Sequence, residues 1–307
     1  MCGIVGARDD WLRRRGRSPE ASVATAVAAL AWRGEDDRAV RRAGGWWLGC
    51  ARLAISAGEG QPIRAPAANT TAVLNGAITN ARDLWRQLSP GVERRAPLPN
   101  DAALPSLAVR QRRTDLLDGL RGHHAYAVVD ERTDEVYLGQ DRYGERPLWC
   151  VRAKIDGRWQ LAAFSSTLAA LRCLGVHVRA SEGAVAQWFR YGWSEGQAFE
   201  VGDDVIVCEL PVRGAAYVAR PTSRDWVERV HEPRPTTALQ DARGDAGALQ
   251  ELLAESVTRC LDTPSAAGLS LSGGVDSSCL ALTLGAIGQD IPAYQFSAAG
   301  APADERR

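Results

Sequence analysis

The chain has 307 residues, with 37 basic and 37 acidic side chains and a formal net charge of zero. That length allows a large core and two domains, and the balanced charge gives no basic field for nucleic acid. No apolar run reaches the roughly 18 residues of a membrane span, and Arg8-Asp9-Asp10 comes too early for a secretory leader. In chain order, Ser18-Pro19-Glu20 reads as a helix start, with Ser18 as N-cap and Pro19 at the first helical position. The Ala/Val run continues that helix to Leu30, and Arg33-Gly34 ends it. Residues 46–55 and 71–74 are rich in strand formers. Residues 125–129 and 135–138 predict a hairpin, and Asp156-Gly157 marks a tight turn between a strand ending at 155 and another over 159–164. Helices are expected over 166–174 and, capped by Ser181, over 182–190.

Beyond residue 220 the pattern changes. Proline-bearing polar segments bracket residues 221–244, which read as a linker between a first domain (2–220) and a second (245–307). Leu249, Leu252, Leu253, Val257, Cys260 and Leu261 then recur at helical spacing. A strand (267–271), a Gly-rich turn, a helix (277–286) and a strand (293–297) follow, a βαβ unit that opens a parallel sheet. Two strands and two helices do not cover both faces of such a sheet, so the second domain is expected to be incomplete. It would be a fragment, or would be completed by a separate chain.

The chemistry starts at Cys2. Removal of Met1 would leave Cys2 with both a thiol and a free α-amine, a nucleophile and its base on one residue. The other cysteines (Cys50, Cys150, Cys173, Cys208, Cys260, Cys279) form no CxxC pair, so they read as reduced thiols of a cytoplasmic protein rather than zinc ligands. His123 and His124 are adjacent and would point to opposite faces of a strand.

Met1-Cys2-Gly3-Ile4-Val5-Gly6 resembles the start of the class II glutamine amidotransferases, the N-terminal-nucleophile glutaminases. Further segments resemble that family in its own order: Arg33-Gly34-Glu35-Asp36, Arg52-Leu53-Ala54-Ile55, Gln61-Pro62, Asn75-Gly76-Ala77-Ile78-Thr79-Asn80 and Asn100-Asp101. The segment from Gly139 to Leu148, with Asp141, Gly144 and Pro147, is similar to the asparagine synthetase branch. The resemblance implies an α+β fold of four layers, αββα. It implies that Cys2 attacks glutamine, that Asn75 and Gly76 stabilise the oxyanion, that Arg52 clamps the α-carboxylate and that Asp101 holds the α-ammonium. Ala77, Thr79, Glu35, Thr167 and Ala102-Ala103 depart from the family pattern around the site, which is expected to loosen it and cost rate.

Near the other end, Leu271-Ser272-Gly273-Gly274-Val275-Asp276-Ser277-Ser278 lies between an apolar strand and a helix and lacks the lysine of a Walker A loop. Backbone N–H groups and three hydroxyls there could cradle phosphate. It is similar to the pyrophosphate loop of ATP pyrophosphatases, which implies an α/β parallel-sheet domain, ATP as cofactor and Asp276 as a Mg2+ contact. Tyr294-Gln295-Phe296-Ser297 and Asp304-Glu305 resemble that family's next strand and acidic pair. The combined expectation is an asparagine synthetase-like amidotransferase acting on glutamine and on aspartate or another carboxylate, as a homodimer or with a separate chain that completes the synthetase domain. Two rivals stand beside it: a natural-product amide ligase resembling lasso peptide cyclases or β-lactam synthetase, and a truncated, non-catalytic homologue.

Overall fold

Buried and half-buried positions sort into layers in the computed structural model, which describes residues 2–55, 58–65, 69–89, 100–180, 182–192, 199–200, 204–211, 214–231, 245–261 and 266–295. The chain divides into two units, Met1–Pro233 and Arg234–Arg307. The first opens with β1 (Gly3–Arg8), α1 (Asp9–Arg14), α2 (Pro19–Ala29), β2 (Asp37–Ala43), β3 (Trp46–Arg52), β4 (Ile63–Ala65), β5 (Thr70–Ile78), α3 (Ala81–Leu88) and α4 (Ala103–Arg110). It continues with β6 (Gly122–Asp130), β7 (Glu135–Gln140), β8 (Trp149–Ile155), β9 (Arg158–Ser165), α5 (Leu168–Cys173), β10 (Arg179–Ala180) and α6 (Glu182–Tyr191). Four short strands close it: β11 (Phe199–Glu200), β12 (Val205–Cys208), β13 (Ala216–Ala219) and β14 (Glu228–Arg229). The second unit holds α7 (Ala246–Leu261), β15 (Leu269–Ser270), α8 (Val275–Ala286) and β16 (Ala293–Tyr294).

Two antiparallel sheets carry the first unit. One has the order β10-β11-β12-β8-β9-β1-β3-β2 and the other β14-β13-β7-β6-β5-β4. Their inward faces meet in one core: Ile4, Leu48 and Phe164 from the first sheet, Val73, Ala127 and Leu138 from the second. A second core, with Val23, Val27 and Leu171, lies between the first sheet and the helices α1, α2 and α5. A third, with Leu74, Leu84, Leu104 and Val128, lies between the second sheet and α3 and α4. The order is αββα, as expected. Each side chain buried this way contributes about 1.5–3 kcal/mol against exposure, so three stacked cores fix the strand ends that carry the site.

Local differences from the sequence reading have local causes. β3 stops at Arg52, short of residue 55, because Leu53 turns to meet the Cys2 sulfur. β5 runs Thr70–Ile78, well past 74, since β6 pairs with it along its whole length. Ser18 and Pro19 stand at the N-cap and first position of α2, but the Ser18 side chain makes no capping bond. α5 starts at Leu168 because Thr167 is its N-cap and accepts a hydrogen bond from the Ala170 N–H at 3.2 Å. Ser181 lies outside the described residues.

His124 is buried and stacks on Tyr126 with ring centroids 6.1 Å apart, and desolvation draws its imidazole down to about 4. Within the stretch read as linker, Val227 is buried in the core between the sheets, Trp226 packs against it, and β14 pairs with β13. Residues 232–244 lie outside the description.

In the second unit β15 and β16 pair in parallel, with Leu269 against Ala293. This is the βαβ arrangement read from the sequence, with shorter strands. α8 begins at Val275 instead of 277 because Gly274 takes the N-cap place. Residues 296–307, with Phe296, Ser297 and the Asp304-Glu305 pair, lie outside the described residues. Among the described residues, no helix is long and apolar enough to cross a membrane, and all seven cysteines are free.

Candidate active site

Cys2 immediately precedes β1, a strand flanked by β3 and β9 in the first sheet. Its sulfur accepts a hydrogen bond from the Leu53 N–H at 3.4 Å and faces the Leu53 carbonyl at 3.6 Å. Its carbonyl accepts from Arg33 Nε at 3.0 Å, which anchors the residue from the 3₁₀ turn (Ala31–Arg33) after α2. The thiol is lowered to about 6. Hydrogen bonding with Cys50 is the main cause, followed by burial in the opposite sense, the Leu53 backbone, and the positive charges of the amino terminus and Arg52. Such a sulfur is largely ionised at neutral pH and therefore nucleophilic.

Asn75 projects from β5 on the facing sheet and is fully buried. Its Nδ2 donates to Ser166 Oγ at 3.4 Å, and Ser166 Oγ also accepts from the Ile4 N–H at 3.0 Å. Ser166 therefore joins the Cys2 strand to the Asn75 strand. Asn75 Oδ1 has no partner. Turning the amide over exchanges the two ends: Oδ1 then accepts the Ser166 hydroxyl proton, and Nδ2 takes the unpartnered side as a donor. That second orientation is the one an oxyanion needs.

Gly76 follows with φ of +118°, and a Cβ there would lie 1.9 Å from the His123 carbonyl oxygen. Only glycine fits this conformation and this gap.

Arg52 ends β3, is 8% exposed, and donates from Nη2 to the Gly58 carbonyl at 3.1 Å. Gly58 packs against the Asn100 backbone. Asn100 is held by Gln61, which also accepts the Leu74 N–H at 2.7 Å. Asp101, next along, accepts the Ile78 N–H at 2.8 Å through Oδ2. Burial raises its carboxyl to about 6, against the lowering effect of that one backbone donor. Among the described residues no cation bears on this buried carboxylate, and an α-ammonium would supply the positive charge.

The structure thus links all five sequence-read positions, Cys2, Arg52, Asn75, Gly76 and Asp101, through the ends of β1, β3 and β5 and their loops. Sequence reasoning assigned nothing to Ser166, Cys50 or Gln61. Ser and Gln carry no signal alone, and Cys50 reads as one more core thiol. The departures at Ala77 and Thr79 fall at the end of β5 and in the turn after it.

In the second unit the loop after β15 is an exposed strand–turn–helix. Gly273 has φ of +88°. Ser272 Oγ accepts the Gly274 N–H at 3.3 Å, and Ser277 Oγ accepts the Ser272 N–H at 3.3 Å while donating to the Gly274 carbonyl at 3.1 Å. Asp276 lies in the first turn of α8, where backbone N–H groups lack helical partners. This shape fits a phosphate. For a metal, the described residues hold no group of three His, Cys, Asp or Glu. Asp276 is a single carboxylate, the kind of ligand Mg2+ shares with substrate phosphates. Leu271, which closes β15 through its N–H to the Tyr294 carbonyl, and Ser278 frame the loop.

Residues 1–205 match the family model of the glutamine amidotransferase domain, and residues 248–307 match that of asparagine synthase. Among solved structures, glutamine phosphoribosylpyrophosphate amidotransferase from B. subtilis, complexed with ADP and GMP, is similar at 15% identity and a TM-score of 0.49, over 96% of this chain and 65% of that one. A second, an allosteric regulatory enzyme of purine biosynthesis, has 14% identity and a TM-score of 0.47, over 98% of this chain and 66% of that one. The chain therefore spans just under two thirds of the length of either. No curated sequence matches it significantly. The chain belongs to the glutamine amidotransferase domain family, and its last 60 residues match the asparagine synthase model.

Proposed function

We propose that this protein releases ammonia from glutamine at Cys2 and serves amide formation on a carboxylate activated at the 272–278 loop. One observation carries the reading: Ser166 ties the strand that follows Cys2, through the Ile4 N–H, to the buried Asn75 amide of the facing sheet, and the Cys2 thiol is lowered. With Met1 removed, the Cys2 amine takes the thiol proton. The thiolate attacks the glutamine side-chain carbonyl carbon, and negative charge moves to its oxygen, where Asn75 Nδ2 and the Gly76 N–H donate. The amine proton passes to the leaving nitrogen, ammonia departs, and water hydrolyses the thioester to glutamate. Arg52 holds the α-carboxylate and Asp101 the α-ammonium, so the amide carbon is presented to sulfur in one pose.

ATP, bound with Mg2+, would supply activation of the acceptor as an acyl-adenylate. On this chain Ser272, Gly273, Gly274, Ser277 and Ser278 would hold the phosphates and Asp276 the metal. The acceptor is aspartate, giving asparagine, or another carboxylate. The retained Cys2, Arg52, Asn75, Gly76 and Asp101 support ammonia use over a ligase that takes an internal amine.

The test is release of ammonia and glutamate from glutamine, with intact mass to establish loss of Met1. Cys2→Ala is expected to lower the rate by about a thousandfold or more. Equal rates in wild type and Cys2→Ala, or a retained Met1, would sink the Cys2 mechanism.

A further inference from the structure

Cys2 and Cys50 form a pair. In the β1–β3 ladder Cys50 stands opposite Ile4, and Cys2 lies two residues before Ile4, so both sulfurs fall on the inward face as diagonal neighbours. Both line the core between the two sheets. Cys50 is wholly enclosed, while Cys2 sits at the rim with 8% exposure. Placed side by side, each thiol bears on the ionisation of the other. The two environments differ: Cys2 also has the Leu53 N–H at 3.4 Å and the nearby Arg52 charge, whereas Cys50 is desolvated and feels the Asp37 carboxylate.

We propose that Cys50 is a positioning residue for the Cys2 nucleophile: it keeps its own proton, donates its S–H to the Cys2 sulfur and holds that sulfur as an aimed thiolate. The proposal deepens the reading of Cys2 as the glutaminase nucleophile and rests on it. When the Cys2 proton leaves, its sulfur becomes an acceptor only. Two donors then converge on it, the Leu53 N–H along the chain and the Cys50 S–H from beneath. Burial assigns the proton within the pair, since an anion at Cys50 would be enclosed in apolar surroundings. The directions agree: Cys50 is pushed well above the ordinary thiol value and Cys2 below it. The charged groups bearing on the pair are Arg52 at the end of β3, Arg33 in the turn after α2, Asp37 of β2 and the amino terminus.

The experiment follows the rate of carbamidomethylation of Cys2 by iodoacetamide across pH 5–9.5. It uses peptide mass mapping of full-length wild type, Cys50→Ser and Cys50→Ala, with thermal melts alongside. Wild type is expected to reach half its maximal rate well below the roughly 8.5 of free cysteine. Cys50→Ala is expected to move that midpoint up by about one unit, slowing alkylation about tenfold at pH 5. Cys50→Ser keeps a donor and is expected to stay within about threefold of wild type at that pH. Coincident profiles for wild type and Cys50→Ala would overturn the proposal. So would a Cys50→Ser profile displaced as far as that of Cys50→Ala. A wild-type midpoint at or above that of free cysteine overturns it with no variant needed, whether or not Cys50→Ala folds. Ammonia release from glutamine is measured on the same samples. If wild type releases none, the glutaminase reading fails, and the alkylation profiles still decide whether Cys50 sets the state of Cys2.

Discussion

Two acidic groups set the pH response of the site, shifted in opposite directions from their ordinary values to the same range. The Cys2 thiol ionises near 6 and needs to be ionised to attack. Asp101 is raised to about 6 by burial and needs to be ionised to hold an ammonium. Both requirements fail below that value. The glutamine KM is therefore expected to rise as pH falls from 6.5 to 5, about tenfold per unit once Asp101 is protonated. Steady-state ammonia release across that range measures it, and a flat KM would remove Asp101 from the ammonium site.

The same shift has a consequence for stability. A carboxyl raised in the folded state binds more protons there than in the unfolded chain between its two values. Stability from Asp101 thus falls as pH rises from about 4 to about 6 and stays reduced above. Asp101→Asn keeps an acceptor for the Ile78 N–H and removes the buried charge. It is expected to be more stable than wild type at pH 7.5 by on the order of 2 kcal/mol, with no gain at pH 4. Its glutamine KM at pH 7.5 is expected to be higher. Denaturant melts at the two pH values check the first expectation.

At the scale of elements, the site depends on where strands stop. β9 ends at Ser165, and the next residue, Ser166, ties β1 to β5 by accepting from Ile4 and Asn75. Ser166→Ala leaves the buried Ile4 N–H without that acceptor, at an expected cost of about 1–3 kcal/mol. It also removes the hydroxyl that would hold Asn75 Oδ1 with Nδ2 turned toward the oxyanion, so kcat for glutamine hydrolysis is expected to fall more than KM rises. An unchanged kcat in a folded Ser166→Ala protein would remove Ser166 from the support of Asn75. Gly76→Ala is expected to be worse. It forces a Cβ against the β6 backbone at positive φ, at a cost of about 3 kcal/mol or more, visible as a lost or lowered thermal transition.

At the scale of the molecule, the two proposed chemistries fall in separate units of the chain. Damage to the 272–278 loop is therefore expected to leave ammonia release intact. Gly273→Val puts a β-branched residue at φ of +88°. It is expected to abolish binding of Mg–ATP in equilibrium dialysis while ammonia release stays within about twofold of wild type. A parallel loss of both would show that the units act as one.

The motifs Cys2-Gly3, Arg52-Leu53, Asn75-Gly76, Asn100-Asp101 and Ser272-Gly273-Gly274 were legible in the chain because each needs a particular residue type whatever surrounds it. A nucleophile, a bidentate cation, an amide donor and a positive-φ glycine have few substitutes. The βαβ order of the second unit was legible too, since strand and helix periods differ. Tertiary structure decided the rest. β2 and β14 are strands through their pairing with β3 and β13, with Arg-rich or polar sequences that predict none. Ser166 became a tie, and Cys50 the partner of the nucleophile, through contacts between residues 162 and about 48 positions apart, which no local pattern encodes. Cys2 itself carries both lessons. Its residue type marks it as the proposed nucleophile, and its neighbours set its ionisation.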